Sequence, residues 1–143
     1  MKYIFSLVAI AMFSFVSNAQ FSVVNGQAMV YDFDRNAGLA VDYIDGMYAV
    51  VFHDTDTPIL NTGGEYRLIV DGSYVKLDGV GAGGSWVAMD ALDRDVNTAI
   101  SMLRKGNKVT LQVCVGTYCE TILTAGLSGS DRAIRAVTPL RPY

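Results

Sequence analysis

The sequence predicts a mainly β fold: an antiparallel β-sandwich or curled sheet with one medium and one short α-helix. Three observations carry that expectation. Runs rich in Val, Ile, Tyr and Thr recur with partial alternation, as pleated, half-buried strands require. Asp-Gly steps punctuate those runs at Asp45-Gly46 and Asp71-Gly72, where a two-residue hairpin turn needs positive φ. Helical periodicity is confined to two segments late in the chain.

The elements follow in order. "MKYIFSLVAIAMFSFVSNAQ" opens with Lys2, continues through 13 largely apolar residues from Ile4 to Val16, and ends in Ser17-Asn18-Ala19. That is the pattern of a secretory signal peptide cleaved after Ala19. The apolar run falls short of the ~20 residues a spanning helix needs. Residues 1–19 are therefore expected to be removed, leaving residues 20–143 as a single exported β-rich domain, periplasmic or secreted, with no stable membrane insertion. "QAMVYDF", "GLAVDYIDGMYAVVFH", "EYRLIVDGSYVKLDG" and "SWVAM" read as strands. "VGAGGS", from Val80 to Ser85, reads as a flexible loop. No Lys-Ser/Thr follows it, so it is not a phosphate cradle.

"DALDRDVNTAISMLRKGNK" puts Leu92, Val96, Ala99, Ile100 and Leu103 on one helical stripe. Asp90 or Asp93 can cap its start, Arg104 and Lys105 complement its end, and Gly106 suits the turn beyond. "GSDRAIRAV" reads as a short second helix, capped by Ser130 or Asp131, with Ala133, Ile134 and Val137 inward. The tail "TPLRPY" is expected to be extended.

Cys114 and Cys119 are the only cysteines. An exported chain meets an oxidising compartment, where disulfides persist. "KVTLQVC" and "CETILTA" are strand-like runs joined by a Gly-containing loop, so the pair reads as a clamp on a β-hairpin. With Cys114 opposite Cys119, simple counting sets Gln112 opposite Thr121 and Leu111 opposite Ile122. Zinc would need further ligands, and His53 is the only histidine. A redox motif would be C-x-x-C at a helix start. The loop Val115, Gly116, Thr117 and Tyr118 can be an ordinary turn, which is the commoner case. Alternatively it is a recognition tip whose clamp limits the entropy lost on docking. In the second reading Arg104, Lys105 and Lys108 add attraction for an acidic partner, provided the fold brings the helix end near the tip.

Other candidate chemistry is thin. Asp32, Asp34 and Asn36 begin a calcium-loop spacing, but the sixth position is Ala37 and the twelfth Tyr43. On a strand these acids would face water. His53, Asp54 and Asp56 come together in "FHDTDTP", where polar residues at a strand end are ordinary. No catalytic residue, metal or cofactor is assigned, and the chain is expected not to be an enzyme. Without the leader, 10 basic side chains stand against 14 acidic, a net charge of −4. That balance argues against nucleic acid. The charge is uneven: −8 from Gln20 to Leu103 and +4 from Arg104 to Tyr143.

From Glu65 to Val137 the chain resembles periplasmic proteins of the invasion-associated locus B type. The likeness lies in "LIVDGSYVKLDG", in "NTAISMLRKGNKVTLQV" with its "KG" turn before a strand, and in "TAGLSGSDRAIRAV". Ser130-Asp131 stands where an apolar-plus-small pair is common in that family. The cysteine pair follows the helix, where the family more often places one before it. The resemblance implies a secreted β-sandwich with no established catalytic residues. It implies a binding or interaction module whose partner is a protein or a cell-envelope component. A looser likeness, limited to the C-x-x-x-x-C clamp, is to periplasmic inhibitors of vertebrate lysozyme. Val115 to Tyr118 lacks the His that such a loop carries. An inhibitor of a wall-degrading enzyme is the alternative function.

Overall fold

The computed structural model describes residues 20–54, 65–82, 85–89 and 94–139. The leader, Asp56, Asp90, Leu92, Asp93 and the end of the tail lie outside them. The architecture is mainly β, with curled antiparallel sheets and two helices. The elements run β1 (Ser22–Val24), β2 (Gln27–Asp32), β3 (Ala37–Ile44), β4 (Met47–Asp54), β5 (Glu65–Val70), β6 (Ser73–Leu77), β7 (Val80–Ala82) and β8 (Ser85–Met89). They continue as α1 (Arg94–Lys105), β9 (Lys108–Val115), β10 (Tyr118–Gly126) and α2 (Ser130–Val137). One sheet has the order β1-β2-β3-β4-β8-β7, the other β10-β9-β5-β6.

Turn chemistry sets the registers. Asp45 and Gly46 have φ of 51° and 82°, and Asp71 and Gly72 of 50° and 90°. These are the two positive values of a type I′ turn. They fix Ile44 opposite Met47 and Val70 opposite Ser73. Asn25-Gly26 does the same between β1 and β2, with Val24 opposite Gln27. Sequence reading passed over this hairpin, although Asn-Gly is as strong a signal as Asp-Gly. Val80 to Ala82, expected in a loop, instead forms the edge strand β7 on β8. Main-chain pairing needs no side-chain pattern, so a Gly-rich strand gives little warning in sequence.

The sheets share one core. Val30, Leu39 and Phe52 from the six-stranded sheet cluster with Leu68, Leu77, Leu111 and Leu123 from the four-stranded one. Val96, Ala99, Ile100 and Leu103 of α1 and Ala133 and Ile134 of α2 close it. The predicted stripe of α1 is thus buried over every described position.

The connection from α1 to β9 is held from the β5–β6 turn. Asp71 accepts from the Asn107 N–H at 2.9 Å and the Lys108 N–H at 3.2 Å. Gly106 donates to the Met102 carbonyl at 2.9 Å and ends the helix. A Cβ at Gly106 would lie 2.1 Å from Val70 Cγ1, so glycine is required by close approach rather than by left-handed φ.

The start of α2 differs from the sequence expectation of a Ser130 or Asp131 cap. Its N-cap is Gly129, at φ 82° with no side-chain cap. The buried Ser130 hydroxyl instead donates to the Leu103 carbonyl at 2.6 Å, tying α2 to the end of α1. Asp131 bridges Arg104 at 2.7 Å and Arg135 at 3.0 Å. The hydrogen bond from Arg104 chiefly holds its carboxyl below the usual range; desolvation opposes it in part, and the Arg135 charge adds a lesser lowering effect. Because the folded pKa is depressed, this support is present above the ordinary carboxylate range. It fades as pH falls through the folded value.

Gly106→Ala is expected to lower stability by about 1–3 kcal/mol, because a β-branched neighbour cannot swing away from the new methyl. In a Val70→Ala background the same change should cost clearly less. Thermal melts of the four proteins measure this. A rise in melting temperature for Gly106→Ala would contradict the packing account.

Candidate functional site

The β9–β10 hairpin carries the candidate tip. Val115 pairs with Tyr118, so the turn proper is only Gly116-Thr117, with Gly116 at φ 62°. Positive φ at the first central position alone is the type II′ pattern. Cys114 lies directly opposite Cys119, and the two are disulfide-bonded with Cα atoms 4.0 Å apart. The pair flanking a two-residue turn exchanges both hydrogen bonds, so the next pair, that of the cysteines, is the closer non-hydrogen-bonded kind.

Gln112 faces Thr121, as expected, with a side-chain hydrogen bond of 3.4 Å. Leu111 does not face Ile122. The register shifts between Thr121 and Leu123, and Leu111 pairs with Leu123. A bulge at Ile122 inserts one residue, and both Ile122 (5% exposed) and Leu123 (0%) turn inward. Counting from the turn cannot anticipate an inserted residue.

Alternation puts Val115 and Tyr118 on the face opposite the disulfide. They are 56% and 68% exposed, beyond the end of the core. Behind the disulfide lies a polar face that sequence reading missed. Glu65 pairs in register with Cys114, and its carboxylate takes ion pairs from Arg67 and Lys76. The Arg67 hydrogen bond chiefly holds the Glu65 carboxyl below its ordinary range; desolvation opposes it in part, and Lys76 adds a lesser lowering effect. The Arg67 guanidinium sits 5.1 Å over the Tyr74 ring. The i, i+2 spacing of Glu65 and Arg67, with Lys76 opposite Arg67, was the available signal.

The basic residues assigned to the tip lie elsewhere. Lys108 faces Gly126 at the far end of the hairpin, and seven residues of strand, about 24 Å, separate it from Val115. Lys105 ends α1, one short turn before Lys108. Arg104 is engaged by Asp131. The tip and the lysines are two separate places.

The acidic candidates also resolve differently. Asp32 does not face water: it is 6% exposed. Its carboxylate accepts from the Asp34 N–H at 3.1 Å, the Arg35 N–H at 3.3 Å, Arg35 Nη1 at 3.1 Å and the Thr124 N–H at 2.8 Å. These donors leave it a structural acceptor that joins the β2–β3 turn to β10. Among the described residues no group of three His, Cys, Asp or Glu could hold a metal ion. His53 is half-buried on β4 opposite Gly38, and Asp56 of its cluster lies outside the described residues.

No family model and no curated protein matches the chain. Among solved structures, invasion associated protein B from Bartonella henselae superposes with a TM-score of 0.51 at 14% identity. The match covers 81% of this chain and 87% of that one. The chain shares that fold. The resemblance read from residues 65–137 to the invasion-associated locus B type is therefore matched by a structural likeness spanning most of both chains.

Replacing both cysteines by Ser is expected to remove about 2 kcal/mol, the loop-closure value for so short a ring. The melting temperature should fall while the β spectrum persists. Two alkylatable thiols in the untreated native protein would refute the clamp.

Proposed function

We propose that this chain is an exported, non-catalytic binding module of the invasion-associated locus B type. It engages a protein or cell-envelope partner through the tip of the β9–β10 hairpin. The observation that carries this reading is the pairing of Tyr118 and Val115, both largely exposed, on a turn held by a disulfide one residue away. A tethered tip loses little freedom on docking. Tyrosine is a residue type enriched at the energetic centres of interfaces.

Export is supported by the disulfide, which persists in oxidising compartments, and by the leader-like first 19 residues. No helix among the described residues is long and apolar enough to cross a membrane. The shared fold supports the family reading at the level of architecture.

The test begins by immobilising the chain from Gln20 onward and identifying the envelope protein it retains. Titration then compares Tyr118→Ala with the parent. The truncation should weaken that complex by more than ~1 kcal/mol, with the melting temperature nearly unchanged. Normal binding combined with a lower melting temperature would make Tyr118 a stability residue and overturn the reading. Slowed lysis in a lysozyme assay would favour the inhibitor alternative instead.

A further inference from the structure

Hydrogen-bond phase decides which main-chain groups of β10 face outward. Val115 and Tyr118 flank a two-residue turn and exchange both bonds. The phase then alternates. Glu120 bonds to Val113, while Cys119 and Thr121 direct their N–H and C=O away from β9. After the bulge the same phase turns the Thr124 N–H outward, and that N–H is taken by Asp32 Oδ2 at 2.8 Å. Further on, the Leu127 N–H bonds to the Asn107 carbonyl at 2.9 Å, as the phase requires.

The outer edge of β10 is thus closed by a carboxylate at Thr124. Among the described residues it meets no other strand at Cys119 and Thr121, because β10 ends its sheet. An open edge is a template for one more strand, and here it runs from Tyr118 to Thr121, as far as the bulge at Ile122. Tyr118, Cys119 and Glu120 are all exposed there. Tyr118 and Glu120 share one face, and Glu120 makes no ion pair with the described residues.

We infer that the Cys119–Thr121 edge accepts an extended segment of a partner protein by strand addition, with a Lys or Arg of that segment opposite Glu120. This rests on the binding-tip reading and names the partner's chemistry. The charge argues for a foreign strand over a second copy. The two-fold register that uses both open residues sets Cys119 against Thr121 of the other copy and Glu120 against Glu120, a like-charge pair.

The test is an NMR titration of the labelled chain, from Gln20 onward, with two capped peptides of about eight residues. One alternates Thr and Val with Lys, the other Thr and Val with Glu. The Lys peptide should shift the Cys119 and Thr121 amides saturably and bind about fivefold or more tighter than the Glu peptide. Glu120→Lys should invert that preference. Thr121→Pro should abolish binding, since proline removes an outward N–H while leaving the β9 ladder intact. If Thr121→Pro fails to fold, the Glu120→Lys inversion decides the matter. Equal binding of both peptides, shifts confined to another surface, no saturable binding, or full binding by a folded Thr121→Pro would each overturn the inference. An envelope partner that needs Tyr118 yet binds Thr121→Pro normally would leave the tip reading standing and remove only strand addition.

Discussion

One buried carboxylate organises the junction between the two sheets of this molecule. Asp32 sits at the end of β2, almost fully withdrawn from water, and four N–H donors converge on it. A charge is tolerated at such a site only when its oxygens are fully engaged. Two donors are amides of the following turn, one is the Arg35 guanidinium, and the fourth belongs to β10 in the other sheet. The same group therefore shapes the β2–β3 turn and ties β2 of one sheet to the edge strand β10 of the other. It also covers one outward N–H of an edge strand. Beyond that fastening, toward the hairpin tip, the β9–β10 ladder and the disulfide hold β10.

The end of the four-stranded sheet away from the tip uses the same device. Asp71 belongs to a hairpin turn and receives the amides that leave α1. Gly106 lets the helix end approach Val70, and Ser130 and Asp131 join α2 to the last turn of α1. These contacts gather Lys105 and Lys108 into the helix–strand connection, remote from Tyr118. The described basic residues of the C-terminal segment, Arg104, Lys105, Lys108, Arg132 and Arg135, thus belong to the helices and the connection after α1 and not to the tip. Beside the tip, Glu120 presents a carboxylate on the face that carries Tyr118.

Much of this was legible from the residues. Asp-Gly steps fixed two hairpins, the cysteine spacing fixed a third, and an apolar stripe fixed α1. Asp32 was legible too, since Ala28, Val30 and Asp32 alternate on the inward face of β2. An aspartate there must find donors, and the sequence-based expectation of a water-facing acid ignored that phase. The distance from Lys108 to the tip also follows from strand length alone. The bulge at Ile122 was hidden, because register counted from a turn carries no record of an added residue. The edge strand β7 was hidden because backbone pairing, not side-chain pattern, defines it. Gly106 was assigned correctly to a helix end but for the wrong reason, since a close approach between distant segments leaves no local signature.

The most direct test of this account is amide hydrogen exchange in the parent chain and in Asp32→Ala. In the parent, the Thr124 amide should be protected while those of Cys119 and Thr121 exchange freely. In Asp32→Ala, Thr124 should lose its protection, Tyr118 and Glu120 should keep theirs, and stability should fall by about 1–3 kcal/mol, the scale of a buried donor left unmade. A Thr124 amide that exchanges as fast as Thr121 in the parent, or one equally protected in Asp32→Ala, would contradict the central claim.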